Sequence, residues 1–453
     1  MSAVDTRSRP AAGPPAGRRA PRHVHPLRVE SLRGIAPWTG LTVASATGLA
    51  LLLTSSSWQG SWWETQVVLR HAAAIFAAPL AGAAGCFQGA REHRRRTVEL
   101  RAGAARGPLP QLALAALPGA LWAAVGYLVA ALGCLLATLP YAGDGAPQLG
   151  PALTDAVFLV SVSVLGHVCG ALLPHRLAPP LFGVLVLFVS SVPSGARHLA
   201  PLGGSQLPAD SVAVGWQPWV VTVCWGGLVL TAVLARGARR RYLALVPLVA
   251  VVVAAVPLVR TGDRVWQPDP LSRQAVCATA TVPRICTNRL YAQVLPEVEQ
   301  ALAPLDGRLR GVVGVPRLWD VRGGGRSDDA VLPRLESGNT VVRGRLSDPE
   351  GYLTTVTYEL TGDPASCRAG RQDRLATAGS TVALWLLPNP ARARETERQR
   401  GWSAGAPEEL AALDAREAAV TRLDAMAPAD RRTWLAGYFA ARAACAPGRV
   451  PPL

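Results

Sequence analysis

The side chains that carry most transfer and hydrolysis chemistry are scarce in this chain. No lysine occurs among its 453 residues, so all 46 basic residues are arginine. That excludes a Walker-A phosphate loop, whose lysine reaches the phosphates, and Schiff-base chemistry on a lysine. Gly323-Gly324-Gly325 is no substitute, because the spacing and the subsequent Lys-Ser/Thr are missing. All seven histidines lie before residue 200. The C-terminal half therefore has no zinc-peptidase motif, no Ser-His or Cys-His pair and no His-based phosphotransfer. Carboxylates remain. The adjacent pairs Asp328-Asp329 and Glu408-Glu409 point apart on any regular element, as solvated surface residues do. No catalytic residue, cofactor or metal is expected.

Cysteine is the next reactive type. Cys277, Cys286, Cys367 and Cys445 fall in the C-terminal part, and Cys86, Cys134, Cys169 and Cys224 fall in apolar runs. An even number in an extracytoplasmic domain suggests disulfides. Four cysteines allow three pairings. The short intervening loop favours Cys277 with Cys286, which leaves Cys367 with Cys445. Metal binding is the rival reading, weakened by the lack of CxxC spacing and of histidine.

Few polar groups lie inside the apolar runs; Asp155 sits at the end of one and His167 near its middle. An intramembrane ionisable group is a functional candidate. Asp155 is expected to lie close enough to the boundary for hydration. His167, between Gly166 and Gly170, suits a hydrogen bond to a neighbouring helix. There is no arginine run inside a span and no chain of buried carboxylates, so neither a voltage sensor nor a proton-coupled pump is supported.

These groups must be positioned by membrane helices. A spanning helix needs about 20 predominantly apolar residues. Seven candidates fit, over roughly 38–56, 67–88, 111–139, 152–173, 179–193, 218–235 and 243–259. The fifth is short, so the expectation is seven spans, or six if it does not cross. Gly119, Gly126 and Gly133 recur every seven residues, and Gly166 and Gly170 make a GxxxG spacing, as in close helix packing in lipid.

The charge follows the same division. The net charge is +16 and the pI about 10.6, yet half the residues are hydrophobic and the mean hydropathy is +0.22. That is too apolar for an ordinary nucleic-acid binder. Residues 1–260 hold 21 Arg and 8 acids, and residues 261–453 hold 25 Arg and 22 acids. The expected organisation is a basic tail and interfacial segment over 1–37, a transmembrane bundle over 38–260 and an α+β domain over 261–453. Arginines crowd the tail, the loop from Arg91 to Arg106, Arg176, and Arg236 to Arg241, while the alternate loops are poor in them. The positive-inside rule then sets the N-terminus in the cytoplasm and the C-terminal domain outside. Trp58, Trp62, Trp63, Trp216 and Trp219 fall at the expected outer boundary, where amphipathic rings prefer to sit. The first span reads as an uncleaved signal-anchor.

Arrangement and local sequence also carry a resemblance. Pro26-Leu-Arg-Val-Glu-Ser-Leu-Arg-Gly-Ile-Ala-Pro-Trp38 precedes the first span. A basic loop ending Arg96-Thr-Val-Glu-Leu100 follows the second, and Leu172-Leu-Pro-His-Arg-Leu-Ala-Pro-Pro180 joins the fourth and fifth. Over residues 26 to about 240 this resembles permease subunits of ABC type-2 transporters of the actinobacterial type. The resemblance implies a multi-pass protein of the bacterial plasma membrane that lacks its own ATPase. A separate ATP-binding subunit would dock on Arg91, Glu92, Arg94, Arg95, Arg96 and Glu99. Arg28, Glu30 and Arg33 would lie in an interfacial segment, and a second permease would complete a homodimer or heterodimer. The lipid bilayer is the other partner, and no nucleic acid is expected. The chain departs from the family in carrying a seventh span and a large C-terminal domain. The expected function is an export permease whose outer domain binds substrate or a partner. The alternative is a membrane-anchored receptor or assembly scaffold without transport.

Within the C-terminal domain, Asn288–Leu305, Pro407–Met426 and Ala429–Cys445 have helical spacing, with Asp430 as a cap of the last. Thr340–Leu346 and Tyr352–Leu360 are predicted as strands. Thr381–Leu387 is predicted as a strand or a buried helix start.

Overall fold

The computed structural model describes residues 31–32, 34–95, 107–191, 210–238, 240–279, 283–321, 330–336, 339–362 and 373–453. The protein is mostly helical. Among the described residues, six helices are long and apolar enough to cross a membrane: α1 (Ala36–Leu53), α2 (Trp62–Arg95), α3 (Pro108–Thr138), α4 (Leu149–Leu172), α6 (Gln217–Gly237) and one covering Arg241–Thr261. The last opens as a 3-10 turn and continues as α7 (Leu245–Thr261). The shorter apolar helix α5 (Ala178–Ser191) lies between α4 and α6 in the chain.

Small residues set the packing of this bundle. A Cβ built on Gly85 would stand 2.0 Å from the Ser163 carbonyl oxygen, and one on Gly170 would stand 2.0 Å from that of Cys86. The α2 and α4 backbones are therefore in direct contact, with no room for a side chain between them. Gly82 faces Gly166 in the same way, so the two helices run parallel. A Cβ built on Gly126 of α3 would stand 2.1 Å from the Gly40 carbonyl oxygen of α1. Gly119 faces the Gln88 carboxamide, whereas Gly133 has nothing within 4 Å. Only part of the seven-residue glycine stripe is thus used for close approach.

Helix α2 contains a π turn over Ala73–Ala77, just before Pro79. Proline has no N–H to donate and its ring clashes with the preceding turn. A widened turn relieves that conflict.

The ends of α4 locate α5. Thr154 Oγ1 donates to the Pro218 carbonyl at 3.4 Å, and the Ala213 amide donates to Gln148 Oε1 at 3.3 Å. Helices α4 and α6 therefore begin at one end of the bundle. With 24 residues, α4 is about 36 Å long. The chain from Leu173 to Trp216 must return over that length. Helix α5 packs on α2, with Phe182 against Gly82 and Gly183 near the Pro79 carbonyl.

Strand β1 (Ser211–Ala213) precedes α6, and β2 (Trp266–Pro268) follows α7. They pair antiparallel, Val212 opposite Gln267, and so clasp the two ends of an α6–α7 hairpin.

The C-terminal region has its own apolar core, built entirely from residues from Val276 onward. Its sheet has the order β3 (Ala275–Cys277), β4 (Arg284–Asn288), β5 (Leu318–Asp320), β6 (Ala330–Val331), antiparallel at the first pair and parallel after it. Helix α8 (Leu295–Leu309) packs Val298, Leu302 and Leu305 inward. A small hairpin joins β7 (Val341–Val342) to β8 (Arg345–Leu346). Arg343 and Gly344 between them both have positive φ, 51° and 71°, as a two-residue type I′ turn requires. Helices α9 (Pro349–Thr361), α10 (Asp373–Leu386), α11 (Asn389–Trp402), α12 (Pro407–Ala425) and α13 (Pro428–Ala443) complete the region.

Three local expectations are corrected. Tyr352–Leu360 is helix α9 rather than a strand. Asp348 caps it by accepting from the Gly351 amide at 2.8 Å, and Pro349 suits the first helical position. Tyr352, Leu353, Val356 and Leu360 share its buried face, which outweighs the β-branched content. Thr340–Leu346 is a hairpin rather than one strand. Asp430 lies in the first turn of α13, while the cap position is Ala427, with no side-chain cap bond. Thr381–Leu387 falls at the buried end of α10.

Candidate functional site: a buried polar cluster where the bundle meets the C-terminal region

Polar groups gather at the end of the bundle where α2, α4 and α6 begin. Ser61 caps α2, accepting from the Glu64 amide. Thr65 of α2 and Thr138 of α3 share a hydrogen bond of 2.8 Å, and Gln66 Nε2 donates to the Gln148 carbonyl at 2.8 Å. One turn deeper on the same face of α2 stands Arg70, only 3% exposed. Its guanidinium lies over the Trp266 ring, 4.7 Å from the centroid, a cation–π contact. Trp63 meets the same indole edge-on at 5.8 Å. A residue of the C-terminal strand β2 thus covers a charge held by a bundle helix.

Asp155 of α4 is 1% exposed. The Tyr127 hydroxyl of α3 donates to its Oδ2 at 3.1 Å. The expectation that Asp155 is hydrated at a boundary is therefore corrected, because α2, α3 and α4 close around it. Arg70 and Asp155 are not joined by an ion pair. Arg70 Nε and Nη2, Asp155 Oδ1 and Gln217 Oε1 are buried with no hydrogen-bond partner among the described residues. Unpaired buried polar groups carry a large desolvation cost, and concentrating four such atoms at one junction marks it as a site rather than a core.

A cavity of about 30 Å³ opens beside the cluster, lined by Trp62, Trp63, Gln66, Gln148, Asp144 and Asp210 among others. That is room for about one or two waters. Asp210 has φ of 55°, strained for a residue with a side chain. Burial pushes its carboxyl up to about 6. A hydrogen bond from the Tyr291 hydroxyl (3.3 Å) opposes the rise, Asp269 and Glu336 add to it, and Arg334 opposes it. The junction is stitched further by Arg289 to Asp144 at 2.6 Å, and by Arg343 to the Gln59 side chain at 2.8 Å.

The second region of interest is at the opposite end. The turn Arg91–Arg95 follows Gly89. Arg94 folds back over the Phe87 ring, 3.9 Å from its centroid, and donates to the Phe87 carbonyl. Arg91, Arg94 and Arg95 line a cleft of about 330 Å³ with Gly34, Ile35, Phe87 and Gln88. The cleft brings the segment before α1 against the basic turn. Arg28, Glu30, Arg33, Arg96 and Glu99, and the side chain of Glu92, lie outside the described residues.

His167 is buried, and its carbonyl occupies the close contact with Gly89. It lies 12 residues, about 18 Å, along α4 from Asp155, so the two are not one site. Cys277 and Cys286 are directly opposed across β3 and β4 and form the expected disulfide. Cys445 is also disulfide-bonded, while Cys367 lies outside the described residues. Cys86, Cys134, Cys169 and Cys224 are free thiols.

Sequence reasoning missed Arg70, Tyr127, Gln66 and Trp266. The signal for Arg70 was present, since it is the one charged residue inside the run 67–88. The other three have no signature at the level of single residues. Comparison with protein-family models, with curated proteins and with solved structures finds no match for this chain.

Proposed function

We propose that this chain is a permease-like subunit of an ABC export system in the bacterial plasma membrane. It is driven by a separate ATPase subunit, and its C-terminal domain, outside the cell, binds substrate or a partner. The observation that carries the reading is the cleft at the arginine end. There the segment before α1 meets the Arg91–Arg95 turn, the position at which a cytoplasmic ATPase subunit would seat. The chain makes seven crossings in this reading, with α5 as the short fifth. The common end at which α4 and α6 begin, with α5 between them in the chain and packed on α2, supports that number. The distribution of arginine supports a cytoplasmic N-terminus.

Purification from native membranes tests the proposal. An ATPase subunit is expected to accompany the wild-type protein. Arg94→Glu with Arg95→Glu is expected to reduce its recovery about tenfold, as for loss of about 1.4 kcal/mol of binding. No ATPase in the wild-type preparation would sink the idea.

The second reading is a receptor or assembly scaffold that transports nothing. The stitching of the C-terminal region to the bundle by the β1–β2 ribbon, Arg289–Asp144 and Arg343–Gln59 favours it. Such a junction holds two bodies in a fixed relation.

A further inference from the structure

The orphaned atoms of Arg70 are not a random pair. Nε–H and Nη2–H lie side by side on one edge of the guanidinium plane. That edge is the fork that binds a carboxylate with two parallel hydrogen bonds. Both atoms are buried and neither has a partner among the described residues, while the flat face of the same group is covered by Trp266. A cation–π contact satisfies charge in part but satisfies no N–H. Arg70 is therefore held in its place by its face, with its most specific edge unused.

A carboxylate oxygen in the same condition stands nearby. Asp155 Oδ2 is used by Tyr127, and Oδ1 has no partner. Helices α2 and α4 run parallel, with Gly82 at Gly166 and Cys86 at Gly170. The same offset carried toward the start of both helices sets Arg70 level with Asp155 to within about one turn. An arginine side chain covers such a distance by rotation alone. The ring that holds it back belongs to neither helix. Trp266 is in β2, at the threshold of the C-terminal region, and is itself only half-buried.

We propose that Arg70 is a carboxylate-binding site that Trp266 keeps closed. When the indole withdraws, the Arg70 fork takes a carboxylate, and the C-terminal region thereby gains control over a charge inside the bundle. The carboxylate has two sources of the same chemistry. One is Asp155, in which case the site is an internal ion pair made and broken by Trp266. The other is a small carboxylate compound entering past Trp63 and Gln66. The proposal is independent of whether the chain transports anything.

Full-length protein in lipid nanodiscs tests it, with the apparent Tm as the readout. In the native background, the Tm shifts of Arg70→Gln and Asp155→Asn are expected to show only the modest coupling of two nearby charges that share no hydrogen bond. With Trp266→Leu, which keeps apolar bulk but removes the ring face, the Asp155 source makes the shifts non-additive, and the double variant is no worse than the worse single one. The external source instead makes excess succinate raise the Tm of the Trp266→Leu protein by several degrees. Arg70→Lys, which keeps the charge and loses the fork, should abolish that rise. Trp266→Met serves as the second variant if the first does not fold. The same coupling in both backgrounds together with no succinate effect would overturn the proposal. So would a succinate effect that survives Arg70→Lys.

Discussion

At the scale of single residues, the junction is a place where burial and charge compete. Asp210 illustrates the sign. Its carboxyl titrates near 6 in the folded protein against an ordinary value of 3.8, so the folded state holds the proton more tightly than the unfolded chain. The stabilisation is complete below about 3.8 and is lost as pH rises through 6. The apparent Tm of the wild-type protein is therefore expected to fall between about pH 4.5 and 7 relative to Asp210→Asn, which keeps an acceptor for Tyr291 and does not titrate. Parallel curves for the two proteins across that range would contradict the assignment. The residues that carry this behaviour, Asp210, Tyr291, Asp269 and Glu336, are scattered along the sequence. Only the fold brings them together, and no spacing rule could have paired them.

At the scale of elements, direct backbone contact between α2 and α4 makes a sharp contrast between glycines. Gly85→Leu forces a side chain against the Ser163 carbonyl and is expected to cost about 1–3 kcal/mol, the usual range for overpacking. Gly133→Leu, with nothing within 4 Å, is expected to leave the protein unchanged. Thermal unfolding of the two variants in one detergent checks the pair, and equal effects would refute the packing argument. Much of this level was legible in the sequence. The long apolar runs gave helices at nearly the expected positions, because about twenty apolar residues in succession have few other uses. The GxxxG pair in α4 also did what its spacing implies. The failures share a cause. Tyr352–Leu360 has the composition of a strand, but its cap and its i, i+4, i+8 burial decide for a helix. The stripe Gly119, Gly126 and Gly133 follows one helix face, yet which of the three meets a neighbour depends on where α1 crosses α3.

At the scale of the whole molecule, the proposed orientation, with the C-terminal region outside, is testable by labelling. A membrane-impermeant thiol reagent applied to reduced, intact cells is expected to modify Cys277, which is partly exposed, well ahead of Cys286, which is 1% exposed. Cys86, Cys134 and Cys224 are buried and should stay unmodified. Modification of Cys277 only after the cells are broken would reverse the orientation.

The β1–β2 ribbon bears on the same question. The Asp269 amide donates to the Asp210 carbonyl at 2.8 Å, so the chain leaves the α6–α7 hairpin where it came in. A closed excursion of two crossings has even parity. The side on which residues beyond Asp269 emerge is thus inherited from Asp210, whether or not the hairpin inserts. A variant with the α6–α7 hairpin deleted between Asp210 and Asp269 is expected to leave the C-terminal region in the same compartment. Helices α6 and α7 behave as a detachable insert, added to the bundle without any power to invert the C-terminal region.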